Sequence, residues 1–212
     1  MKITVLYEGR TEYYFVQNVL SQYLPSEIEA IPLPISGTAF GNVPFETVHL
    51  AALDELTKSN SSDVITTMVD LYELTQWPEM EALPIETPLQ RVRRIENLAR
   101  IKFEDERFLP YIQLHEYEAL LFVDFDVLGK FIDPVAAKTL GDELSGRNPE
   151  DINDGSASAP SKRIIAVDAR YEHSKARVGP IIAKQVGIPR LRDSCPHFDE
   201  WISTLENLAR GG

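Results

Sequence analysis

A single cysteine, Cys195, stands in a chain of 212 residues. One thiol excludes an internal disulfide framework and a cysteine-rich zinc site, and a reducing cytoplasm is the simplest setting. Long apolar runs are missing as well. No stretch approaches the roughly 18 consecutive apolar residues of a membrane span, and Ile3 to Leu6 is far too short for a secretion signal. The expectation is a soluble, cytoplasmic protein with no membrane partner. Positive charge is scarce: 21 Lys and Arg against 33 Asp and Glu leave a net charge of −12. Sequence-independent nucleic-acid binding needs cationic surface to displace counterions from phosphates. Bulk charge therefore argues against a stand-alone DNA-binding module. It leaves room for a nuclease whose nucleic-acid substrate is met by bound metal, a basic partner or local patches. Two such patches exist, Arg91, Arg93, Arg94, Arg100 and Lys102, then Lys162, Arg163, Arg170, Lys175 and Arg177. A Gly-x-Ser-x-Gly elbow, a phosphate-binding loop, a dinucleotide glycine motif and internal repeats are all absent.

What is present is an ordinary globular composition, 43% hydrophobic and 25% charged. Ile3 to Tyr7 and Val64 to Val69 are short apolar, β-branched runs of strand length, and each stops at a carboxylate, Glu8 and Asp70. Thr11 to Leu24 has helical spacing with Thr11 as N-cap, and Pro25 ends it. Ala30 to Ile35 is an edge strand or irregular segment because of Pro32 and Pro34. Ser36 to Pro44 is a loop, and Phe45 to Leu56 and Pro88 to Ile101 are helices. Phe108 to Leu114 is another extended run, ending at His115 and Glu116. This alternation predicts an α/β domain with a mostly parallel central sheet flanked by helices. Residues 1–132 form the core; 133–212 form a helical C-terminal region packed on it, with a mobile loop near 147–160.

In parallel α/β sheets ligands bind beyond the carboxyl ends of the strands. Glu8, Asp70, Glu116 and Glu118 all fall there, a set of hard oxygen donors suited to Mg²⁺ or Mn²⁺. A cation gives a physical reason to tolerate the repulsion; the alternative is that each acid caps the helix after it. Glu116 and Glu118 share a face on a strand but point about 200° apart on a helix, so Glu116 is favoured over Glu118. His115 is a candidate base, metal ligand or satisfied core histidine. Lys162, at the start of a helix after the loop, is a candidate for stabilising phosphoryl charge, against a solvated helix start. Cys195 lacks a visible base, His197 reads as a cap with an aromatic plug, and His49 and His173 have no catalytic company.

Several blocks occur in a fixed order: Tyr7-Glu8-Gly9-Arg10-Thr11-Glu12, Thr67-Met68-Val69-Asp70-Leu71-Tyr72, the run from Gln113 to Phe122, Ala159-Pro160-Ser161-Lys162-Arg163 and Cys195-Pro196-His197-Phe198. Together they resemble the bacterial family catalogued as domain of unknown function 4276, a Toprim-like group, nearly end to end. The resemblance implies a Toprim fold and Mg²⁺-dependent phosphodiester chemistry, as in nucleases paired with ATPases in phage defence. It assigns Glu8 to the glutamate after the first strand and Asp70 to the first aspartate of an Asp-x-Asp pair. The second aspartate position holds Tyr72. Glu116 or Glu118 supplies the missing ligand, or the site is degenerate and the chain is a non-catalytic partner of an ATPase.

Overall fold

The computed structural model describes residues 1–33, 43–72, 74–81, 83–153 and 158–211. The sheet is parallel throughout: β1 (Lys2–Tyr7) lies between β2 (Glu27–Pro32) and β3 (Val64–Asp70). On its far side β3 pairs with two stubs, β4 (Phe108–Leu109) and β5 (Ile112–Gln113). β1 and β3 are buried along almost their whole length, the environment that favours β-branched residues on both faces.

Ile3, Val5, Val64 and Met68 face one apolar cluster, whereas Leu6, Ile65 and Val69 face another. The second cluster is closed by α3 (Phe45–Thr57) and α4 (Pro88–Phe103), through Val48, Ala52, Val92, Ile95 and Ala99. The first takes in α1 (Arg10–Phe15), a π-helical turn at Val16–Leu20 and α2 (Ser21–Tyr23). It also takes in a 3₁₀ helix at Tyr117–Val123, α5 (Phe125–Leu128) and α6 (Pro134–Glu143). The remaining helices are α7 (Pro160–Val167), α8 (Tyr171–Val186), α9 (Ile188–Ser194) and α10 (Pro196–Gly211). Their core residues Ile164, Ile182, Leu191, Phe198 and Leu205 join the same cluster as Ile3 and Val5. The C-terminal helices are therefore built onto the sheet. No helix of the described residues is long and apolar enough to cross a membrane.

Three local expectations change. The run from Phe108 to Leu114 is not one strand: Pro110 lacks an N–H, and the ladder breaks there. Thr67 fills the gap, its Oγ1 donating to the Tyr111 carbonyl at 2.8 Å and accepting from the Tyr111 N–H at 2.9 Å. The first helix is capped at Gly9 and not at Thr11, which is buried inside it. The second strand starts earlier, at Glu27, and ends at Pro32 on the sheet edge, where a missing donor is tolerated. Residues 34–42, most of the expected Ser36–Pro44 loop, lie outside the described residues, as do 154–157 of the segment near 147–160. Within the latter, Pro149–Asp151 forms a 3₁₀ turn.

Candidate functional site

The parallel pairing of β1 with β3, and of β3 with β5, brings their carboxyl ends to one edge. Glu8 follows the last residue of β1, and Asp70 is the last residue of β3. Asp70 Oδ1 accepts the Tyr117 N–H at 2.9 Å, tying it to the start of the 3₁₀ helix. The ladder runs on past β5: Leu71 N–H donates to Gln113 O at 2.9 Å and Tyr72 N–H to His115 O at 2.8 Å. His115 then turns the chain with φ +65°, a left-handed conformation uncommon for a side-chain-bearing residue. Its buried ring lies 3.0 Å from Asn153, Nδ2 to Nδ1. This contact ties the ring to the segment that carries Asn153.

Glu116 and Glu118 have separate duties. Glu116 is extended, ahead of the 3₁₀ helix, and its carboxylate takes the Ser161 N–H at 2.7 Å and the Ser161 hydroxyl at 3.0 Å. Both oxygens are engaged in holding the start of α7. Glu118 is buried inside the 3₁₀ helix, with the Tyr171 hydroxyl 3.4 Å from Oε1. Ser161 thus competes with any ligand for both oxygens of Glu116. Lys162 is exposed, and its neighbour Ser161 is the residue that reaches inward. Lys175 of α8, exposed like Lys162, is the cation whose charge opposes the rise of Glu12 and Glu118.

A residue that spacing arguments passed over completes the cluster. Glu12, in the first turn of α1, is buried, and its carboxylate folds back toward the backbone N–H groups of Gly9 and Glu12, which favour its charged form. A Cβ on Gly9 would stand 2.6 Å from Glu12 Oε2, so glycine is what allows this fold-back. Tyr171, Lys175 and Gly179 lie at four-residue steps along one face of α8. A Cβ on Gly179 would meet Tyr117 and Thr11, and this close approach sets Tyr171 beside Glu118, with the charge of Lys175 felt by Glu12 and Glu118 from the same helix.

The electrostatics follow from crowding. Burial, then the charges of Glu12, Glu8, Glu118 and Glu116, hold the Asp70 carboxyl well above its ordinary range. Burial pushes Glu12 up to about 7 against its backbone hydrogen bonds, with Glu8 adding to the rise and Lys175 opposing it. Glu118 is likewise raised to about 7 by burial, opposed by Lys175 and reinforced by Glu116 and Glu12. Cys195 is buried and its thiol is pushed well above the ordinary value, which removes it as a nucleophile.

The sequence profile of a domain of unknown function, DUF4276, matches residues 7–206. The chain belongs to this family. No curated protein and no solved structure gives a match. The span shared with DUF4276 contains every carboxylate of the cluster, together with His115, Lys175 and His197.

The donor set suits a hard divalent cation in its chemistry: carboxylates only, desolvated and raising one another's pKa. Among the described residues no three His, Cys, Asp or Glu side chains already stand together as a metal cage. Their raised pKa values mean that these carboxyls hold protons more readily than ordinary acids do. A cation and these protons compete for the same oxygens.

Proposed function

We propose that this DUF4276 protein is a Toprim-like nuclease that uses Mg²⁺ or Mn²⁺ to cleave phosphodiester bonds, with a phage-defence setting as the context the family resemblance favours. One observation carries the reading. Asp70, at the end of the central strand, sits in the field of Glu12, Glu8, Glu118 and Glu116. Such crowding costs stability unless a cation or protons offset it. Glu8 and Asp70 would hold the ion, and Glu12 and Glu118 replace the carboxylate missing at Tyr72. The ion, when bound, supplies charge neutralisation and activation of water. Lys175 faces the same acids from α8 and is placed to meet phosphate oxygens. His115, buried at the turn beyond β5, remains a candidate for proton transfer. Glu116 and Lys162 are left out of the chemistry.

The test is Mn²⁺ calorimetry on the wild type and on Glu8→Gln/Asp70→Asn, followed by cleavage assays on plasmid DNA and on RNA. Saturable binding that the double variant loses, together with cleavage that it also loses, is the expected result. Cleavage undiminished in the double variant would remove these acids from the mechanism. A second reading, a non-catalytic partner subunit of an ATPase, is favoured by Tyr72 at the second aspartate position. Folded wild type that binds no Mn²⁺ but forms a stable complex with such an ATPase would establish it instead.

A further inference from the structure

A second cluster lies at the broken sheet edge, built from two helices with matching spacing. α4 contributes Arg93, Glu96, Asn97 and Arg100, and α10 contributes His197, Glu200, Trp201 and Thr204. Both sets run i, i+3, i+4, i+7, the stripe that a packed helix ordinarily fills with apolar residues. Here the stripes are mostly polar, and a cavity of about 260 Å³ opens between them, floored by Leu109, Pro110 and Tyr111. That volume is near the lower end of small-molecule sites, which begin at about 300 Å³.

The site has a buried, incompletely partnered group. His197 Nε2 lies 3.0 Å from Glu96 Oε1 and 3.2 Å from Ile112 O, so Nε2 carries a proton and donates. Its Nδ1 has no hydrogen-bond partner, although the residue is only 3% exposed. The nearest acid, Glu200, is 4.0 Å away and is turned to Arg93. Burial opposes the imidazolium, but Glu96, Glu150 and Glu200 together raise its pKa above the ordinary value. Arg100 lines the cavity and makes no ion pair among the described residues. The Arg93–Glu200 pair is bidentate but about half exposed on each side, so solvent screens it and Arg93 can exchange partners.

We infer that this cavity is a ligand site for a small phosphomonoester, its phosphate held by Arg100, Arg93 and Asn97 beside His197. The three terminal oxygens of a phosphomonoester match two guanidinium groups and an amide better than a carboxylate's two. When Arg93 turns to the phosphate, Glu200 is left to His197 Nδ1, 4.0 Å away. The site is separate from the carboxylate cluster and does not depend on the nuclease reading.

The experiment is calorimetry on the full chain with chelator present, using inorganic phosphate, adenosine monophosphate and a 5′-phosphorylated oligonucleotide as probes. Saturable binding is expected, weakened about ten-fold or more in Arg100→Ala. It should be unchanged in Glu8→Gln/Asp70→Asn. Arg100 is exposed, so its variant keeps the fold. Tighter binding of the mononucleotide assigns a free metabolite, and tighter binding of the oligonucleotide assigns a strand end. No saturable binding of any probe would overturn the inference, as would affinity that Arg100→Ala leaves intact or that the double variant loses.

Discussion

At the scale of single residues, the decisive contact is between Gly9 and Glu12. The backbone of Gly9, φ −126° and ψ 177°, is open to any residue, so alanine there does not strain the chain. Its methyl group would stand 2.6 Å from Glu12 Oε2 and displace that carboxylate from its place over the Gly9 N–H at the start of the helix. Gly9→Ala is therefore expected to lower stability by about 1 kcal/mol, the usual cost of a lost helix cap, read from the urea midpoint. The same variant should weaken Mn²⁺ binding although no acid has been removed. Unaltered Mn²⁺ affinity would mean that Glu12 is only a cap. Glu8 and Asp70 were legible in the sequence because each ends an apolar run. Glu12 and Lys175 were not, because their positions depend on how α1 and α8 face each other.

At the scale of elements, α7 is fastened through one residue. Ser161 donates both its N–H and its hydroxyl to Glu116, and all of these groups are buried. Ser161→Ala removes the hydroxyl bond to a buried carboxylate, expected to cost roughly 1–3 kcal/mol of stability in urea unfolding. Mn²⁺ affinity should not change, since Glu116 acts as a tether. A fall in affinity comparable with that of the double variant would return Glu116 to the metal site. α10 is held in a similar way, by Glu150 accepting the His197 and Phe198 N–H groups at 2.9 and 3.0 Å. The cap at α10 was readable in Pro196-His197-Phe198, but its acid comes from residue 150, beyond the reach of local pattern. α4 is the contrasting case. Its Thr87–Gln90 capping box and Pro88 lie next to one another in the chain.

For the whole molecule, the acid cluster imposes a pH dependence with an unusual sign. Glu12 and Glu118 stand at about 7 in the native state, against an ordinary value of 4.5. Between those values the native state keeps protons that the unfolded chain has released, so stability falls as pH rises. The contribution is fully present below about pH 4.5 and is lost through about pH 7. At about 1.4 kcal/mol per pKa unit, the decline should amount to a few kcal/mol. Stabilisation by the Glu86–Arg94 pair is lost only at lower pH, with Glu86 held down to about 2 by its arginine. Denaturant melts from pH 5 to pH 8 in the presence of chelator should show the decline. Glu118→Gln should flatten it, and Mn²⁺ at pH 8 should restore the lost stability by binding the native state alone. A flat profile in chelator would show that the acids do not share protons as described.

The chain's own pattern determined the parallel α/β architecture, the two carboxylates at strand ends and the helical C-terminal third. These follow from hydrophobic period and from helix and strand boundaries, which are local. Tertiary structure decided the chemistry around them. It bound Glu116 to the start of α7 and set the charge of Lys175 against Glu12 and Glu118. It added Glu12 to the acids, and it set the polar stripes of α4 and α10 face to face at the Pro110 break. Each of these depends on the desolvation and distance between residues far apart in sequence, quantities that exist only once the helices have packed on the sheet.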